Sequence, residues 1–291
     1  MLRTADKLLQ VGSPLHTAIK RTETFSMTSE GELTASSGGT LLTLNGVGNT
    51  KPATWTQIVA STAADADGFF VTLQTGDVGI ADFLVDVGLG AASSEVTIVT
   101  NMLYTHGSSE SAPARAYFPI PIPAGSRIAM RMQSTDTTAA GVRAIVTLVN
   151  GGLAAKLKCR VATTYGADTS DSGGQALDAG GSANTKPASF TTISASVTYG
   201  FESCVICVGQ RNNAAQTAQN ILLDIAVGAA ASETVIVPDF YLRATAAEDI
   251  YPKMIWVPAT VRAGQRLSGR IQSSTNDATD RIIDVVVIGF S

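Results

Sequence analysis

The groups in this 291-residue chain best able to do chemistry are arginines, carboxylates and glutamines that recur at fixed spacing. Arg127, Arg131 and Gln133 alternate with Ile128, Met130 and Met132, so on a strand the polar set shares one face. Arg266, Arg270 and Gln272 repeat the pattern against Leu267, Gly269 and Ile271. A guanidinium forks onto carboxylates and carbonyls, which leaves two readings open. Either these side chains form a stripe that docks on a partner surface, or they make inter-sheet contacts within the domain. In the second case their buried partners are Asp86, Glu95, Asp224 and Glu233, which recur in step with them.

Other reactive groups are sparse. Cys204 and Cys207 have C-x-x-C spacing but lie in an apolar run, with no helix start to lower a thiol pKa. Three apart on a strand, they face opposite sides, so with Cys159 they read as core thiols. No second cysteine pair or neighbouring histidine completes a zinc site. His106 begins a polar stretch that reads as a loop tip, and His106, Ser108 and Glu110 form a candidate recognition loop. Asp65-Ala66-Asp67-Gly68 starts like a calcium loop but lacks the later oxygen ligands, so it reads as a turn. Trp55 and Phe190, and Tyr117 and Trp256, are aromatics at matched positions, serving either as stacking platforms for a sugar or as core plugs. No phosphate-cradling glycine loop and no catalytic triad pattern stand out. The expectation is a non-enzyme with no catalytic residues, no metal and no cofactor.

The element that must position these groups is a duplicated unit. Asn49-Thr50-Lys51-Pro52-Ala53 returns as Asn184-Thr185-Lys186-Pro187-Ala188, and Asp86, Gly90 and Glu95 return as Asp224, Gly228 and Glu233. Ala124-Gly125-Ser126-Arg127 returns as Ala263-Gly264-Gln265-Arg266. The offset between copies drifts by only a few residues, which places the length changes in loops. The expected organisation is an N-terminal arm over 1–14, one copy over 15–151 and a second over 152–291.

Within each copy, short β-branched runs are separated by turn signals. Phe83, Val85, Val87 and Leu89 alternate with Asp82, Asp86 and Gly88, Leu84 being the exception. Ile221, Leu223, Ile225 and Val227 keep the same phase. The Pro-rich segment 118–123 reads as an extended edge leading into the Ala124-Gly125 turn, since its prolines lack N–H groups. The fold class is all-β: two tandem homologous antiparallel β-sandwich domains, jelly-roll-like if eight-stranded, with a plain immunoglobulin-like sandwich as the alternative.

Charged residues make up 15% of the chain, against roughly a quarter in ordinary soluble domains. A surface so poor in charge suits burial in an assembly. A net charge of −4 without a basic run argues against a nucleic-acid partner, and no apolar stretch reaches the ~20 residues of a membrane span. The N-terminus has no apolar signal-peptide region, and the cysteines are confined to the second half, which fits assembly in a reducing cytoplasm.

The stretch from Asp86 to Glu95, followed by Pro121-Ile122-Pro123-Ala124-Gly125-Ser126-Arg127, resembles a pattern in structural proteins of tailed bacteriophages, and 224–233 with 261–267 carries it again. The resemblance implies a virion part made in the host bacterial cytoplasm: a decoration protein, head fibre, collar, or tail or baseplate accessory. Its implied partners are other capsid or tail proteins and copies of itself. The alternative is a receptor- or glycan-binding tail or fibre module, with a host glycan as partner. No catalytic or ligand residues transfer with the resemblance.

Overall fold

The structure is a computed structural model, described over residues 26–30, 38–75, 81–107, 113–137, 141–151, 159–210, 218–245, 249–278 and 280–291. The expected N-terminal arm, Ser108 and Glu110 lie outside these residues, and the expected junction at 151/152 abuts the undescribed stretch 152–158.

The first half contributes β1 (Ser26–Glu30), β2 (Thr40–Leu41), β3 (Thr56–Val59), β4 (Gly68–Thr75) and β5 (Ala81–Leu89). It continues through β6 (Val96–His106), β7 (Ala114–Phe118), β8 (Ile128–Ser134) and β9 (Val142–Asn150). The second half supplies β10 (Ala162–Tyr165), β11 (Gln175–Asp178), β12 (Thr191–Ser194), β13 (Ser203–Gln210) and β14 (Gln219–Val227). It ends with β15 (Thr234–Ala244), β16 (Ile250–Tyr251), β17 (Met254–Val257), β18 (Leu267–Ser273) and β19 (Ile282–Phe290).

These strands form two sandwiches. In the first, β1-β9-β4-β7, with β2 also on β9, faces β3-β8-β5-β6. We call these the β9 sheet and the β5 sheet. Counting β1 and β2 as one interrupted strand, the orders are 1-8-3-6 and 2-7-4-5, which is jelly-roll topology. The second sandwich repeats it: β10-β19-β13-β17 with β11 on β19 (the β19 sheet), and β12-β18-β14-β15-β16 (the β14 sheet). Among the described residues, all strand pairs are antiparallel.

Period-two alternation sets the inner faces. Phe83, Val85 and Val87 of β5 and Val71 and Leu73 of β4 fill the first core, while Ile206, Val208, Leu223 and Ile225 fill the second. Gly125 and Gly264 take φ of 76° and 83° in the repeated Ala-Gly turns, a conformation that costs a residue with a side chain more. The Pro-rich segment follows β7, an edge strand of the β9 sheet, where missing N–H groups do no harm.

The sandwiches pack against each other. The outer face of the β19 sheet lies on β6, with further contact between β17 and β7. Val205, Cys207, Val286, Ile288 and Phe290 of that outer face belong to the same apolar cluster as the first core. Phe290 meets Phe118 edge-on at 5.9 Å. This explains the one break in the β5 pattern: Leu84 points away from its own core and is buried all the same.

Candidate functional site

The repeated polar residues meet on the outer face of the β5 and β14 sheets. Asp86 on β5 is the register partner of Arg131 on β8, and the Arg131 Nε–H donates to Asp86 Oδ2 at 3.0 Å. Lys51, from the repeated Asn-Thr-Lys-Pro-Ala segment, donates to Asp86 Oδ1 at 2.5 Å and also to Asn101. The Asn101 backbone N–H donates to the same Oδ1 at 2.9 Å. Asn101 has φ of 51° and sits where the β5–β6 register shifts, so Asp86 holds the amide that a β-bulge leaves unpaired. The Arg131 guanidinium stacks 4.4 Å from the Trp55 ring.

The second copy rebuilds this set. Asp224 accepts from Arg270 Nε at 3.0 Å, from Lys186 at 2.6 Å and from the Asp239 N–H at 2.9 Å. Asp239 has φ of 48° at the matching register shift, and Arg270 stacks 4.3 Å from Phe190. Burial works to raise the Asp224 pKa, but these donors outweigh it and hold the carboxyl below its ordinary range. Lys51 is lowered, chiefly by burial and against the pull of Asp86.

The first arginine of each stripe pairs with the glutamate. Arg127 donates to Glu95 at 2.5 Å and to Gln57 at 3.0 Å, and Arg266 donates to Glu233 at 2.6 Å and to Thr192 at 2.9 Å. Both carboxyls are lowered. Burial is the largest single influence at Glu95 and acts upward, but Arg127 and backbone N–H groups together outweigh it; at Glu233 the Arg266 bond is the largest influence. These contacts tie neighbouring strands and loops within one sheet, not the two sheets of a sandwich. Partners across a sandwich would have to sit on inner faces, which the apolar residues occupy.

The glutamines differ between copies. Gln133 is buried and donates to the Thr169 carbonyl at 2.9 Å and to Ser172 at 3.2 Å, both in the other sandwich. Gln272 is partly exposed. His106 corrects the loop-tip expectation: it ends β6 as the register partner of Ala81 and is 2% exposed, so it offers no surface to a ligand. Strand pairing simply runs further than the polar composition of 105–111 implied.

Cys204 lies in the second core, whereas Cys207 lies in the cluster between the sandwiches. Burial pushes both thiols up to about 12, far from the thiolate that redox or metal chemistry requires. Asp65 and Asp67 accept from the Ala124 and Gly151 N–H groups at 2.7 and 2.8 Å, as turn residues do. Among the described residues, no group of three metal-binding side chains occurs. A 660 Å³ cleft in the second copy is lined by Phe201, Glu202, Trp256, Arg262, Phe290 and Ser291, among others.

Sequence reasoning passed over Lys51, Lys186, Asn101 and Asp239. The lysines stood in the clearest repeat of the chain. The bulge residues had no local signal, because a bulge is defined by the neighbouring strand.

No protein-family model and no curated protein sequence matches this chain. Among solved structures it is similar to PNGF-II, with a TM-score of 0.39 and 8% identity over 94% of this chain and 66% of that one. The chain thus spans just under two thirds of the length of that protein. It is also similar to a peptide-N(4)-(N-acetyl-beta-D-glucosaminyl) asparagine amidase, with a TM-score of 0.40 and 10% identity over 91% of this chain and 96% of that one. A third likeness is to the STIV MCP, with a TM-score of 0.35 and 7% identity over 92% and 96%. None of them passes a function to this chain.

Proposed function

We propose that this chain is a non-enzymatic structural component of a tailed-bacteriophage virion. It is a capsid- or tail-associated protein of the decoration, head-fibre, collar or baseplate-accessory kind, made in the bacterial host, and it works through protein–protein contacts. The observation that carries this reading is the docking of one sandwich on the other. A sheet face made of Val205, Cys207, Val286 and Ile288 serves as a protein-binding surface where a lone sandwich would need a polar one. The ionic groups common to both copies support it, since they are occupied in holding bulges and loops. The repeated segments that resemble phage structural proteins supply the virion context. Two similar domains on one chain bridge neighbouring subunits with the second contact made intramolecular.

Gradient-purified particles test the reading. The chain should be present at fixed stoichiometry after salt washing, with density for two jelly rolls per copy. Its loss on washing would overturn the proposal.

The cleft favours a second reading, a receptor- or glycan-binding module, because the partly exposed Trp256 lines it beside Glu202 and Arg262. Purified protein that binds host envelope, together with particles that assemble without it, would put this reading in place of the first.

A further inference from the structure

We infer that copies of this chain associate head to tail, the outer face of β14 and β15 in one chain seating on the outer face of the β9 sheet in the next. This names a partner for the contact-making role proposed above and rests on that role.

The argument starts from equivalent positions. Asp82, Leu84, Leu103 and Thr105 form adjacent outward pairs on β5 and β6, and none is more than 1% exposed, because the second copy packs on this face, its β19 sheet on β6 and its Thr169 and Ser172 on Gln133, the register partner of Leu84. Their counterparts by register are Asn220, Leu222, Tyr241 and Arg243 on β14 and β15. There Tyr241 is 54% exposed, Leu222 is partly exposed, and Asn220 and Arg243 are exposed. The same face is therefore covered in one copy and open in the other. In the second copy β16 pairs with the end of β15 and closes that edge, but the outward side chains remain uncovered.

The complementary face is partly open in the first copy, where Thr147 and Val149, the counterparts of Ile288 and Phe290, are buried but their neighbours are not. Val205, Cys207 and Val286, which do the covering, correspond to Phe70, Thr72 and Ile145, each partly exposed. Tyr117 packs beside Phe70 at 5.1 Å, and Arg115 lies over the Phe70 ring at 4.3 Å. This is an aromatic and apolar surface of the composition that interfaces favour.

Duplication links the two open faces. When the copies were alike, each carried both faces, and the contact joining them inside the chain was a contact between unlike faces. Such an interface leaves one of each kind at the two ends, and repetition either closes a ring or extends a filament. The occupant that fits each open end is thus the opposite end of another copy.

Sedimentation velocity on the full chain tests this with Tyr241→Glu and Thr72→Arg. The wild type should form species larger than a dimer as concentration rises. Each variant alone should be monomeric with an unchanged circular dichroism spectrum, and a mixture of the two should form a one-to-one dimer, because each retains the face the other lacks. Should Tyr241→Glu fail to fold, Arg243→Glu replaces it. A wild type that stays monomeric at every soluble concentration overturns the inference, as does a mixture that stays monomeric. So does self-association of the Thr72→Arg variant alone, which would mean like faces pair. A monomer still found in washed particles would sink the head-to-tail contact and leave the virion role standing; an oligomer absent from particles would do the reverse.

Discussion

Asp224 and Asp86 show why a charge is kept beneath a jelly-roll surface. Each carboxylate is nearly fully buried and satisfies a bulge amide, a loop lysine and a strand arginine together. Removing the carboxylate strands two cations and an amide, so Asp224→Asn should cost roughly 2–4 kcal/mol at pH 7. The folded pKa of Asp224 lies below its ordinary 3.8, so the stability it contributes is complete above that value and is lost as pH falls through the folded one. Denaturant unfolding at pH 7 and pH 3 should show the gap between Asp224→Asn and the parent narrowing in acid. An equal gap at both values would mean that the charge is not what the donors hold. The recurrence of Asp with Arg was legible in the sequence. That the pair also held a lysine and a bulge was not, because both partners come from segments distant in the chain.

At the scale of the strand, legibility followed length and alternation. β5 and β14 announced themselves through period-two apolar residues, whereas β2, β3 and β12 span only two to four residues and pair mainly through their backbones. Leu84 broke the pattern of β5 for a reason outside its own domain. β13 carries the same lesson. A Cβ on Gly209 would collide with the Thr105 methyl group, so the glycine lets the β19 sheet approach β6. Gly209→Leu should therefore cost roughly 1–3 kcal/mol through overpacking. Gln74→Leu, at the matching position on β4, gives up the bond to the Gly38 carbonyl and should lower the thermal midpoint by that bond alone. Hydrogen exchange in β6 should quicken in the first variant alone, and equal effects at both positions would refute the close approach.

At the scale of the molecule, the two sandwiches share a buried ion pair. Lys253 lies 2.7 Å from Asp249, donates to the Thr105 carbonyl of the other copy at 2.6 Å, and sits 4.8 Å from the Tyr104 ring. Burial lowers the lysine pKa and Asp249 opposes that shift. Lys253→Met leaves a carboxylate in the interior without its cation and should cost roughly 3–5 kcal/mol. Lys253→Met combined with Asp249→Leu should recover most of that loss, a coupling that chemical unfolding of the single and double variants will measure. Additive losses would show that the pair does not act as a unit.

The sequence by itself determined the duplication, the all-β class, the inward phase of the long strands and the recurrence of Asp with Arg, because all of these are written in local periodicity or in the match between copies. Tertiary structure decided which outer faces are covered. Gln133 and Leu84 lie buried while Gln272 and Leu222 reach solvent, as Tyr241 does where Leu103 is buried, since one copy is covered by the other and the second is not. Two copies of one pattern encode the same sandwich, but burial of an outer face depends on a neighbour that neither copy's own residues specify.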